Sequence, residues 1–183
     1  MLFTVRNTIV YDAILIPGEL GERRSSYSLA ELQRVVLLFR IERVVTRGAV
    51  VTKATLVLPL TGKPGQAGTL GIASILRPWP AFSASWESPW SVPGGREGVD
   101  HGAVRATPVV AGVGGEIVHV PFDVTDDVRA WVSGTRQNHG WMISGDVRIG
   151  GAANPHIAAT PRLDVQYSEG SGSAHGAGLA GAV

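Results

Sequence analysis

The sequence predicts an all-β protein, and three observations carry that reading. Apolar residues lie in short runs that alternate with period two, the mark of half-buried strands. Turn-forming residues separate the runs: Gly occurs 24 times and Pro 11 times in 183 residues. Only one stretch shows helical spacing. Many short strands divided by Gly/Pro-rich turns build a sandwich or a barrel.

The runs can be taken in chain order. In "RVVLLFRIE", Val35, Leu37, Phe39 and Ile41 share one side while Val36, Leu38 and Arg40 share the other. "ATLVLPL" continues the pattern through Ala54, Leu56, Leu58 and Leu60. "EIVHVPF" sets Val118, Val120 and Phe122 on one face and turns His119 outward. "RLDVQY" is the cleanest alternation, with Leu163, Val165 and Tyr167 inward and Arg162, Asp164 and Gln166 outward. The helical exception is "FDVTDDVRAWVSG", where Val124, Val128, Trp131 and Val132 form a single stripe. Asp123 or Thr125 can cap its start, and Asp126 and Asp127 suit the positive end of its dipole. Gly134 suits the position where it stops, and Trp131 is expected to plug one end of the fold. Asn138-His139-Gly140 then reads as a tight turn into the strand "WMIS". "AGVGGEI" (Ala111 to Ile117) precedes a strand and lacks the Lys-Ser/Thr ending of a phosphate loop, so a hairpin turn is expected there.

Several segments in this order resemble a known family. "RVVLLFRIE", "GAVVTKATLVLPL", "RPWPAFSASWESPW", "FDVTDDVRAWVSGTRQNHGWMISG" and "TPRLDVQY" together resemble the DNRLRE-type β-sandwich domain, which is related to some carbohydrate-binding modules. The resemblance runs over residues 8 to 167 and is most specific in the helix-and-turn segment. It implies a jelly-roll-like sandwich of two antiparallel sheets. Asp12 in "YDAIL" stands where the family has Asp-Thr-Tyr-Ile, but "SYSLAEL" replaces the Asn-Tyr-Gly that normally follows. A ligand or ion site built there in relatives is therefore not carried over. The family is mainly non-catalytic, appended to secreted enzymes and surface proteins, and is also found in virion proteins of phages.

Composition excludes several classes of function. Sixteen basic and 15 acidic residues, spread without long runs, leave a formal net charge of +1. Such a balance offers no electrostatic footprint for nucleic acid or an anionic membrane. No window of 18 consecutive apolar residues predicts a spanning helix. Cysteine is absent, which removes disulfides, thiolate nucleophiles and Cys-ligated metals. The N-terminal "MLFTVRNTIVYDAILIPGEL" lacks the basic, apolar and small-residue regions of a secretion signal, so the expectation is a protein not sent through that route. The five histidines, His101, His119, His139, His156 and His175, show no close metal-pair spacing. No G-x-S-x-G elbow occurs, and Glu19 and Glu22 lie in an irregular loop. No catalytic, cofactor-binding or metal-binding residue is expected.

Two features remain for binding. Trp79, Trp86 and Trp90 cluster in a Pro/Ser-rich connection. Exposed rings there would stack on pyranose faces, making them candidate glycan-binding residues; buried rings would fold the connection back onto the sandwich. Joint exposure of Trp86 and Trp90 decides between these readings. After Tyr167 the chain reads "SEGSGSAHGAGLAGAV", a tail over residues 168–183 set against a sandwich domain over residues 1–167. Such a composition holds one conformation only where contacts offset its backbone entropy. Ser168, Leu179 and Val183 are its candidate contacts with a neighbouring subunit. The leading expectation is a non-catalytic structural protein of a tailed-phage virion, either a capsid decoration protein or a tail or neck component. It would be made in the host cytoplasm and bind other virion proteins in a multi-copy or homo-oligomeric assembly. The alternative is a carbohydrate-binding or adhesion module that recognises a polysaccharide.

Overall fold

A computed structural model describes residues 2–8, 11–15, 26–28, 34–61, 67–80, 83–110, 116–145, 148–150 and 161–169. Eleven strands and one α-helix follow in the order β1 (Leu2–Thr8), β2 (Tyr11–Leu15), β3 (Ser26–Ser28), β4 (Arg34–Leu38), β5 (Val50–Thr61), β6 (Ala67–Ser74), β7 (Arg105–Val110), β8 (Val118–Asp123), α1 (Thr125–Ser133), β9 (Trp141–Gly145), β10 (Arg148–Gly150) and β11 (Arg162–Ser168). A single 3-10 turn, Ile41–Arg43, follows β4. The described residues are all-β apart from α1 and this turn.

The strands form two antiparallel sheets. The first has the order β1-β11-β5-β10-β3, with β8 on the other edge of β5. The second has the order β2-β4-β9-β6-β7. Long β5 organises the first sheet: its residues 50–57 pair with β11, residues 60–61 with β10, and residues 55–60 with β8. Where β11 passes from Gln166 to Tyr167, the register jumps from Lys53 to Val51. Thr52 is the extra residue of this bulge, and its hydroxyl donates to the Gln166 carbonyl at 3.1 Å. Pro108 and Pro121 sit on β7 and β8, strands that pair along one side only, where a missing N–H is tolerated.

Alternation decides what each sheet buries. Ala54, Leu56, Leu58 and Leu60 of β5, Val120 and Phe122 of β8, and Leu163 and Val165 of β11 face one core. Val35 and Leu37, Leu70 and Ile72, and Trp141 and Ile143 meet them from the second sheet. The two sheets therefore pack face to face in a sandwich-like arrangement. Phe39 and Ile41 also enter this core, although β4 ends at Leu38 and the chain turns there. A second apolar cluster lies on the opposite face of the second sheet. Val36 and Met142 point there, and the 76–104 connection covers them with Ala84, Trp86 and Trp90. This cover explains why "RVVLL" is apolar on both sides: β4 is buried on both faces.

Helix α1 closes one end of the core. Val124, Val128, Trp131 and Val132 are all buried, the stripe that the spacing predicts. The N-cap position is Val124, which has no capping side chain, and the Asp123 carboxylate one residue earlier accepts the Thr125 N–H at 2.9 Å. The Thr125 hydroxyl turns away and accepts the Ala54 N–H at 3.0 Å, fastening the helix start to β5. Arg129 fastens the next turn by donating to the Val51 carbonyl at 2.8 Å. Gly134 ends the helix at φ +79°, a conformation that costs glycine little.

Two expectations change here. β7 and β8 do not pair as a hairpin, because they belong to different sheets; residues 111–115 of the segment read as a hairpin turn lie outside the described residues. Ser168 is not part of a tail that leaves the body, since it is the last residue of β11, opposite Leu2 and Val50. Its backbone is held by the ladder on both sides. Leu179 and Val183 lie outside the described residues.

Candidate functional site

The aspartate pair that opens α1 divides into two unlike residues. The Asp126 side chain is 94% exposed and, among the described residues, pairs with Arg129, one turn on, at 3.4 Å. Its contribution is the modest one expected of the helix dipole and a surface pair. Asp127 is 7% exposed. Its Oδ1 accepts from Arg136 at 2.5 Å, and its Oδ2 accepts from Arg105 at 2.6 Å and from the Trp141 indole N–H at 2.9 Å. The carboxylate thus ties the helix to β7, to β9 and to the turn that follows α1. The dipole account suits Asp126 and understates Asp127. A carboxylate with both oxygens engaged by three donors from separate segments is an anchor.

Asp100 plays the corresponding part in the 76–104 connection. It is fully buried and accepts from the Ser91 N–H and hydroxyl, from the Arg96 N–H and from the Arg77 guanidinium. Burial by itself raises its pKa. The hydrogen bonds from Ser91, Arg96 and Arg77 outweigh that effect and lower it to about 2. Asp123 is also held below the ordinary carboxylate range, first by hydrogen bonding from Thr125, against burial, with help from the Lys53 and Arg105 charges.

The three tryptophans of the same connection gather at one apolar cluster but differ in burial. Trp86 and Trp90 are buried in the outer cluster, and the Trp90 indole donates to the Ser85 carbonyl at 2.8 Å. Gly94, at φ +77°, lets the chain lie directly on Trp86, where a Cβ would come within 2.5 Å of the ring. Arg34 stacks over Trp86 at 5.5 Å from the ring centroid. The joint exposure that glycan stacking on these two rings requires is not met. Trp79 differs: it is half-buried, and its indole is tied to the His139 carbonyl at 2.8 Å.

Trp79 stands in the wall of the main cleft, a concavity of about 690 Å³. Three stretches build it: residues 38–47 after β4, Pro78 and Trp79, and residues 131–139 at the end of α1. Apolar Leu38, Ile41, Val45 and Val132 share the lining with Arg40, Arg47, Arg136 and Asn138. Asn138 shapes one wall. Its amide donates to the Phe39 carbonyl at 2.7 Å, and its oxygen accepts the Gly140 N–H at 3.0 Å. The expected tight turn is present. Gly140, at φ +81°, is required there because a Cβ would fall 2.0 Å from the Leu37 carbonyl oxygen. Burial lowers the pKa of His139, which favours a neutral imidazole near pH 7. Trp131 lies behind the cleft, 4.6 Å from Trp141 between ring centroids.

Sequence reasoning placed Trp79 among candidate ligand contacts but missed the cleft. The arginines that line it come from positions 40, 47 and 136, and no local pattern links them. Among the described residues, no group of three or more His, Asp or Glu is placed to hold a metal ion. Among the same residues, no helix is long and apolar enough to cross a membrane. Compared with known proteins, the chain matches no family model and no curated protein.

Proposed function

We propose that this chain is a non-catalytic structural protein of a tailed-phage virion, a capsid decoration protein or a tail or neck component. It attaches to neighbouring subunits through the sandwich surface and the C-terminal tail. The observation that carries this reading is how the buried charge is used. Asp100 and Asp127 are committed to holding loops and layers together, so the body works as a rigid scaffold. Exposed Val50, Val99, Val104 and Val110 supply apolar surface that a neighbouring subunit would cover. The resemblance to DNRLRE-type domains adds a jelly-roll-like topology and a non-catalytic role to the proposal. The test is truncation after Glu169, which keeps β11 whole. The shortened protein should melt as the full chain does while its occupancy on particles falls sharply. Full occupancy without the tail overturns the attachment role.

A second reading, a saccharide-binding module, is favoured by one feature. Trp79 presents a half-buried indole, held in place by His139, in the wall of a cleft large enough for a sugar ring. Saturable binding in a polysaccharide pull-down that Trp79→Ala abolishes would support this reading over the first.

A further inference from the structure

The polar groups around the cleft are unevenly divided between donors and acceptors. Arg40, Arg47 and Arg136 line it, against the single carboxylate of Glu42. Glu42 is drawn to Arg40 at 3.2 Å, and Arg136 spends one guanidinium nitrogen on Asp127. Arg47 has no ion-pair partner among the described residues, and its guanidinium lies against Gly134 at the cleft rim. The Trp131 indole N–H and the Arg136 Nε–H are buried beside the same cleft without an acceptor among the described residues. Native proteins satisfy nearly all such groups, so two unmatched donors at one place mark a local demand for acceptor oxygens. The Asn138 oxygen accepts from Gly140 instead.

We infer that the cleft binds a saccharide carrying an oxyanion, with the sugar ring against Trp79 and the anionic group on Arg47 and Arg136. The inference rests on the saccharide reading above and adds to it the charge of the ligand. A guanidinium presents a planar fork of donors that fits the two oxygens of a carboxylate or of a phosphate. Gly134 contributes by having no side chain. A Cβ there would come 2.6 Å from the Arg47 guanidinium and displace it from the rim. A neutral sugar would leave the arginine donors without partners once water is excluded, which selects against it.

Calorimetric titration of the full chain tests this with three probes: glucuronate, glucose 6-phosphate and unmodified glucose. Either anionic sugar should bind at least about tenfold more tightly than glucose, and which of the two binds better identifies the oxyanion. Binding should weaken as salt is raised. Arg47→Ala should weaken it about tenfold or more while leaving the melting temperature unchanged, and Arg47→Lys should restore only part of it. Trp79→Ala should weaken the anionic sugar more than it weakens inorganic phosphate. Equal binding of glucose and the anionic probes overturns the charge inference while leaving a saccharide site standing. Absence of saturable binding by all three overturns both, and anion binding indifferent to Arg47→Ala shows that the site lies elsewhere.

Discussion

Replacing Asp127 by Ala should cost the fold far more than replacing its neighbour Asp126. The change removes the acceptor for three donors: Arg136 at 2.5 Å, Arg105 at 2.6 Å and the Trp141 indole at 2.9 Å. Trp141 is fully buried, so its N–H is left without a partner, at about 1–3 kcal/mol. The two arginines are 36% and 43% exposed and can turn back to water, which reduces their share well below the 3–5 kcal/mol of a fully buried broken pair. The total is about 2–4 kcal/mol. For a chain of this size that is roughly a 5–15 °C fall in melting temperature. Asp126→Ala removes a 94% exposed contact and should stay within about 0.5 kcal/mol of the parent. Asp127→Asn keeps an oxygen for Trp141 but loses the charge that binds both arginines, so it should fall between the two. Urea denaturation read by tryptophan fluorescence measures all three variants. If Asp127→Ala unfolds at the same urea concentration as Asp126→Ala, the anchor role assigned to this carboxylate is wrong.

Trp131→Ala should destabilise by about 3–5 kcal/mol, as removal of a large side chain from a core does, and the same denaturation series reads it. Gly140→Ala should cost about 3 kcal/mol or more, because the residue sits at positive φ with a carbonyl oxygen where the methyl would go; a soluble variant of parental stability would contradict the turn geometry. Acid should weaken the 76–104 connection through Asp100. Its folded pKa of about 2 lies below the unfolded value of about 3.9, so its contribution is present above pH ~4 and is lost as the pH falls towards 2. That contribution is about 2 kcal/mol, and Asp100→Asn should flatten the stability profile over this window.

How much of this was legible beforehand differs from element to element. The inward residues of β5, β8 and β11 could be named from alternation alone, because a strand's side-chain period is two whatever lies beside it. The helix was legible for the same kind of reason: four apolar residues at helical spacing and a Gly where the helix ends are local facts. The Asn138-His139-Gly140 turn likewise declares itself within three residues. By contrast, β3 and β10 are three residues long, too short to show a period, and they exist because each has the other to pair with. The N-terminal strands β1 and β2 show no clean alternation that declares them strands, and their partners β11 and β4 place them in opposite sheets.

Tertiary structure alone decided which of two neighbours matters. Asp126 and Asp127 are equivalent as letters, but the 100° turn between successive helix positions sends one to water and the other onto Trp141, Arg105 and Arg136. It also distinguished three tryptophans close together in sequence, since Trp86 and Trp90 are buried on the apolar outer face of β4 and β9 while Trp79 packs only partly buried against their cluster and lines the cleft at the end of α1. The cleft is the extreme case. Its walls come from residues 38–47, 78–79 and 131–139, brought together by strand pairing across the second sheet. Local spacing specifies periodicity and caps, whereas the meeting of distant segments depends on which faces are buried against each other, and that is settled only when both sheets close on one core.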